Sequence, residues 1–336
     1  MTRDNKISNR ENDSTVLQEA IAQMNDLGER KQPFLFIIDY DLEQPVIKPL
    51  PINDEEVLFK IGDKKSEDDM IEIPVVTTLE KQVPSFERYK EAFQLAKKHL
   101  YRGDSFLVNL TLPTEIKADF SLLELYHMAK APYKLYYKDK FVVFSPETFI
   151  KIKQGKIHSY PMKGTIDASL PDAESVLLNN KKERAEHLTM VDLIRNDLSY
   201  FAKNVRVEKL CYLDLIKTNE SELWQMSSEI CGDLQEDFNE KIGEFLFSML
   251  PAGSISGAPK DKTRAIIDEA EGYKRGFYTG VFGYFDGESL DSAVMIRFVE
   301  KINQKLFFKS GGGITAKSDL DAEYQELIQK VYVPID

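Results

Sequence analysis

The sequence predicts an α+β fold built on antiparallel sheets. Strand-like runs come in groups separated by blocks of helix, without the regular strand–helix alternation that builds a parallel sheet. The chain has 336 residues, 42% of them hydrophobic and 30% charged, which is enough apolar material for a large core. Length alone accommodates two domains or one large one. No repeat or low-complexity linker marks a division.

Residues 1–13 are polar and read as frayed, with a short helix over 14–29. Phe34-Leu35-Phe36-Ile37-Ile38 is an apolar run of strand length, and 53–70, dense in Asp, Glu and Lys, reads as surface loop with a short strand. From Pro84 the elements lengthen. Phe86, Tyr89, Phe93, Ala96 and Leu100 recur at helical spacing and predict a helix over 86–101. Strands follow at about 105–111, 133–137, 140–144, 148–153 and 156–160. A long helix is expected over 181–202, with Leu188, Val191, Ile194, Leu198 and Phe201 on one face. Two further strands precede helices near 238–250 and 259–271. Strands at about 278–286, 291–300 and 304–310 lead to a final helix from Asp319 to about Val331.

Composition excludes several function classes. No apolar run is long enough to span a bilayer, and Met1-Thr2-Arg3-Asp4-Asn5-Lys6 lacks the apolar stretch of a signal peptide. Cys211 and Cys231 are the two cysteines, too few for a disulfide framework or a four-cysteine zinc site. A reducing cytoplasm is the expected location. The net charge of −12 argues against a nucleic-acid partner, which needs a basic face. An anionic substrate would need local cations to offset the global field.

Lys163 stands in Tyr160-Pro161-Met162-Lys163-Gly164-Thr165, where Pro161 ends sheet pairing, so the lysine is expected on a turn. Desolvation there would favour the neutral, nucleophilic amine, although an isolated turn lysine is ordinarily solvated. Gly311-Gly312-Gly313 precedes a helix carrying Glu323, Glu326 and Lys330 on one face. Such a face is commonly a solvated ion-pair surface, yet carboxylates one turn apart also suit a hard cation such as Mg²⁺, with Glu186 as a third acid. Gly253-Ser254-Ile255-Ser256-Gly257-Ala258-Pro259-Lys260 is not a phosphate loop, because Pro259 and Asp261 break the Gly-Lys-Ser/Thr ending. Nor is it a nucleophile elbow, since Ile255 takes the place of the serine.

The motifs gain meaning from their order. Phe144-Ser145-Pro146-Glu147 comes first, then Pro161-Met162-Lys163-Gly164-Thr165, Glu186-His187-Leu188 and Val191-Asp192-Leu193-Ile194-Arg195-Asn196-Asp197-Leu198. Pro251 to Lys260, Gly280-Val281-Phe282-Gly283-Tyr284-Phe285, Ile296-Arg297, the triple glycine and the Glu323/Glu326/Lys330 helix complete the series. This series resembles the chorismate-utilising enzymes, most closely the aminodeoxychorismate synthases (component I) of folate biosynthesis, from about Pro84 to the C-terminus.

The resemblance implies a sandwich of two large antiparallel sheets with flanking helices. It makes 84–336 the chorismate-binding catalytic domain and 1–83 a shortened N-terminal region adding a helix and strands to the same globule. It implies Mg²⁺ on Glu186, Glu323 and Glu326. Substrate contacts fall to Thr165, Ser254, Tyr278, Arg297, Gly311, Gly312, Gly313 and Lys330. Lys163 becomes the nucleophile at ring carbon 2 and Glu147 the acid for the departing 4-hydroxyl; anthranilate synthases carry alanine at the lysine position. Leu107 and Gln225 depart from the family, which has glutamine or a water-activating lysine at the first and commonly histidine at the second. Leucine cannot activate water, which speaks against isochorismate and salicylate synthesis. Cys211 and Cys231 have no glutaminase setting, so ammonia is expected from a separate glutamine amidotransferase subunit. Anthranilate synthase component I and a non-catalytic chorismate-binding subunit are the alternatives.

Overall fold

The computed structural model describes residues 3–52, 55–66, 79–217 and 222–333, with side chains from residue 15 onward except that of Ala258. Among these residues the strands form two nine-stranded sheets, antiparallel at every pairing.

Phe34–Ile38 shows why the sheets stack. All five residues are buried, and alternation sends them to opposite faces. Phe34, Phe36 and Ile38 join a core shared with helices Arg3–Glu29, Ile242–Ser248 and Lys181–Leu198. Leu35 and Ile37 meet Phe59, Leu135, Val143 and Phe298 of the second sheet. An apolar run without alternation is what a strand covered on both faces requires.

N-terminal strands enter both sheets: Phe34–Ile38 pairs with Val281–Phe285 in the first, and Val57–Ile61 pairs with Tyr133–Tyr137 in the second. On its outer face the second sheet carries helices Phe86–Arg102, Lys260–Glu271 and Leu320–Gln329. The first of these is capped by Ser85, whose hydroxyl accepts from the Arg88 amide at 3.2 Å, and ends at Gly103 in the left-handed region.

Several expectations are corrected. The first helix starts at Arg3, because no glycine or proline interrupts the polar sequence before Gly28. The strand expected at 105–111 is Leu107–Ala118. The expected strand 291–300 is two strands, Leu290–Val294 and Phe298–Ile302, in different sheets. The chain crosses between them at Arg297, whose φ of 52° is uncommon for a residue with a side chain.

Lys163 lies on a strand, Met162–Asp167, paired with Glu222–Leu234, and not on a turn. The triple glycine likewise lies inside the strand Lys305–Ile314. Leu188 is 39% exposed; the long helix buries Glu186, His187, Met190, Val191 and Leu198 instead. Val46–Pro49, Leu122–Met128 and Ala173–Asn179 are elements the periodicity did not indicate. Of the acidic segment 53–70, residues 53–54 and 67–70 lie outside the described residues; the remainder holds Val57–Ile61 and Lys64–Lys65. No described helix is long and apolar enough to cross a membrane.

Candidate active site

A cavity of about 820 Å³ opens where the glycine strand faces the strand bearing Lys163. It brings together every predicted site residue: Glu147, Lys163, Thr165, Glu186, Ser254, Tyr278, Arg297, Gly311, Gly312, Gly313, Glu323, Glu326 and Lys330. Leu107 and Gln225 line it too. These residues come from both sheets and three helices, so the site exists only once the sandwich is assembled.

The glycine strand forms the floor. Gly311, Gly312 and Gly313 pair with Thr111, Leu110 and Asn109. A β-carbon on Gly313 would sit 3.2 Å from Lys163 Nζ. One on Gly312 would lie 3.2 Å from Glu326 Oε1 and 3.5 Å from Glu323 Oε2. Glycine therefore admits the amine on one side and the two carboxylates on the other. Lys330 Nζ donates to the Gly311 carbonyl at 2.8 Å and pairs with Glu326 at 2.6 Å, the helix-face ion pair that spacing allows.

Lys163 Nζ is 3.3 Å from Glu186 Oε2. Burial favours the neutral amine, but Glu186, Glu326 and Glu183 together outweigh it and hold the pKa above the ordinary lysine value. Desolvation, which alone would favour the nucleophilic amine, does not prevail in this arrangement, because the pocket is acidic as well as apolar.

Glu147 behaves in the opposite way to a surface acid. Burial raises its pKa, against a hydrogen bond donated by Ser254 Oγ at 2.5 Å and the charges of Lys330 and Arg297. Arg297 has no ion-pair partner among the described residues, and its Nε is buried without a hydrogen bond. Its guanidinium lies 4.7 Å from the centre of the Tyr332 ring, so one face is covered and the donors remain for an anion.

The acids implied for Mg²⁺ are all present. Glu323 and Glu326 converge over Gly312, and Glu186 meets the same group of charges through Lys182, which is 4.0 Å from Glu186 and 3.7 Å from Glu323. Carboxylate oxygens are the donors a hard divalent cation takes, but among the described residues the acids are paired with lysines and no three His, Cys, Asp or Glu side chains converge on one point.

Sequence reasoning missed three contributors. Lys182 and Glu183 precede Glu186 by four and three positions, a helical spacing that marks them as neighbours. Tyr332 follows the last helix and carries no periodic signal; the fold alone brings it to Arg297. Cys211 and Cys231 are free and buried, and burial pushes the Cys231 thiol pKa up.

The floor has a buried support. Arg275 donates to both carboxylate oxygens of Glu271, at 2.6 and 2.9 Å, and to the Asn109 and Ile255 carbonyls at 2.6 and 2.9 Å. Glu271 Oε1 also accepts from the Thr111 amide and hydroxyl, each at 2.8 Å. The strand that pairs with the three glycines is thus fixed from behind.

Comparison with known proteins agrees with this architecture. The family model for chorismate binding enzymes matches residues 74–336. An uncharacterised PabA-like protein of Pasteurella multocida is 51% identical over 321 residues, covering 95% of this chain and 99% of that one. Aminodeoxychorismate synthase component 1 of Escherichia coli is 34% identical over 264 residues, 73% of this chain and 56% of that one. Among solved structures, anthranilate synthase component I of Streptococcus pneumoniae superposes with a TM-score of 0.63 at 26% identity, over 78% of this chain and 60% of that one. The two-sheet α+β fold, the ordered motifs and these matches agree: the chain belongs to the chorismate-binding enzyme family.

Proposed function

We propose that this chain makes 4-amino-4-deoxychorismate from chorismate and ammonia, the aminodeoxychorismate synthase component I reaction that leads to 4-aminobenzoate and folate. The observation that carries this reading is a lysine, a buried glutamate and an unpaired arginine in one cavity: Lys163 over Gly313, Glu147 under Ser254, and Arg297 against Tyr332.

Chorismate is a dianion, and Arg297 provides a bidentate donor for one carboxylate where the molecule as a whole is acidic. The Mg²⁺ expected on Glu186, Glu323 and Glu326 supplies positive charge for the other carboxylate and compensates the acids when bound. Lys163 must shed a proton to water in the cavity before it attacks, because Glu186, 3.3 Å away, is committed to the metal. Its amine then bonds to ring carbon 2 while the ring double bonds shift and the carbon 4–oxygen bond breaks. Glu147 gives its proton to the departing hydroxyl, which leaves as water. Ammonia bonds to carbon 4, the double bonds shift back, and the carbon 2–nitrogen bond to Lys163 breaks. Leu107, 5% exposed at the cavity wall, offers no group to activate water, which favours amination over hydration.

The ammonia is drawn from a separate glutamine amidotransferase subunit, since neither buried cysteine has the exposed thiolate that glutamine hydrolysis needs. The test combines pure protein, chorismate, Mg²⁺ and ammonium. The expected outcome is 4-aminobenzoate once a lyase is added, with no anthranilate fluorescence. Lys163→Ala should remove at least 100-fold of this activity and leave chorismate binding, followed by calorimetry, largely intact. Anthranilate as the product would establish the alternative synthase reaction. Turnover in neither channel would point to a chorismate-binding subunit.

A further inference from the structure

The acids expected to hold the divalent cation are held apart by lysines. Glu186 faces Lys163 through Oε2 at 3.3 Å and Lys182 through Oε1 at 4.0 Å. Glu323 faces Lys182 at 3.7 Å, and Glu326 faces Lys330 at 2.6 Å. Among the described residues, Lys182 is the ammonium within ion-pair reach of two of the three acids. Those two belong to different helices, Lys181–Leu198 and Leu320–Gln329.

We propose that Lys182 is a built-in counter-cation that occupies the place of the divalent metal and is displaced when the metal binds. The inference rests on the Mg²⁺ reading above and adds to it a residue that opposes the cation. Like charges cannot share the gap between Glu186 and Glu323, so occupancy by ammonium and by metal is mutually exclusive.

Exposure identifies Lys182 as the group that leaves. Its side chain is 42% exposed, against 21% for Lys163, and it sits on the first turn of its helix, which is capped by Asn180. Rotation into water therefore costs little, and a half-exposed ion pair is weak enough to be replaced. Without the metal, Lys182 ties the two helices across the glycine floor and relieves repulsion between Glu186 and Glu323. With it, the two carboxylates close on a doubly charged ion in its stead. Lys163 and Lys330 remain to face the substrate.

The test measures metal binding directly. Mn²⁺ is titrated into wild type, Lys182→Met, Lys181→Met and Glu323→Gln and followed by electron paramagnetic resonance. Titrations are run with and without chorismate and without ammonium, so that no turnover occurs. Melting in EDTA checks that each variant is folded. Lys182→Met should bind Mn²⁺ about three- to tenfold more tightly than wild type, the range two weak ion pairs can supply. Lys181→Met removes the same charge from an exposed position on the same helix and should change affinity less than twofold. In EDTA, Lys182→Met should melt at a lower temperature than wild type and gain more on addition of Mn²⁺. Equal tightening by both lysine variants would reduce the effect to general charge and overturn the proposal. Wild-type affinity in Lys182→Met, with binding lost in Glu323→Gln, would overturn it while leaving the metal reading intact. No saturable Mn²⁺ binding in wild type or Lys182→Met would remove the metal reading itself, and this inference with it.

Discussion

Burial strengthens the hold of Glu147 on its proton, and Ser254 works against it: a hydroxyl that donates to Oε1 stabilises the carboxylate form. The sign of a substitution follows. Ser254→Ala removes that donor, so the Glu147 pKa rises further and the acid form persists to higher pH. If Glu147 protonates the leaving hydroxyl, the alkaline limb of the kcat profile should move upward in pH in Ser254→Ala. Glu147→Gln should lower kcat by about 100-fold or more, the usual worth of a positioned acid. A limb in the same place in Ser254→Ala would assign it to another group. Lys163 shows the limit of residue-by-residue reading. Its neighbours in sequence, Pro161, Met162 and Gly164, are apolar and suggest a neutral amine, whereas Glu186, Glu183 and Glu326 arrive from other elements and favour the ammonium.

Helix Lys181–Leu198 is tied to the strand behind Lys163 by a buried imidazole. His187 is fully buried, and its Nε2 lies 2.6 Å from Ser228 Oγ, which also accepts from the Cys211 amide at 2.9 Å. Burial, reinforced by Arg184, lowers its pKa from 6.5 to about 4. Between those values the unfolded chain binds the proton and the folded chain does not, so stability is lost as pH falls through that window. The loss from this group should reach roughly 2 kcal/mol by pH 5 and about 3 kcal/mol in full. His187→Gln keeps a hydrogen-bonding group but no titration. Its urea midpoint should fall less between pH 7 and pH 5 than that of wild type, and parallel curves would show that His187 does not carry the dependence. Elements were legible where one signal dominated, as in Phe34–Ile38 or the row from Tyr89 to Leu100. The strand Met162–Asp167 was hidden by Pro161 and Gly164, and the glycine strand by the low strand propensity of glycine. Pairing with Leu107–Ala118 supplies what those residues lack, and the need to admit Lys163, Glu323 and Glu326 explains why they are there.

At the scale of the molecule, the motifs in order were enough to pick out residues that line one cavity, but not to show that one buried ion pair supports it. Arg275 and Glu271 are each 2% exposed. Their four-residue spacing marks them as a pair, but nothing in the sequence marks their other partners, which belong to distant segments: Asn109, Thr111 and Ile255. The guanidinium also stacks 4.7 Å from the Tyr40 ring, beyond the end of Phe34–Ile38, and donates to Thr279 ahead of Val281–Phe285. One cation thereby joins ends of the first sheet to the strand Leu107–Ala118 of the second. Charges this deep are costly unless every donor and acceptor is matched. Glu271→Ala strands the guanidinium and frees the Thr111 amide, so it should cost about 3–5 kcal/mol in urea unfolding. Replacing both partners, Glu271→Leu with Arg275→Met, should recover part of that loss by removing both charges together. The single variant should also weaken chorismate binding although neither residue lines the cavity, because Asn109 and Thr111 hold Gly313 and Gly311 in register. The double variant separates the two effects. Regained stability with binding still weak would make the pair a support of the glycine floor as well as of the fold. Loss below about 1 kcal/mol in Glu271→Ala would show that the sheets hold their junction without it.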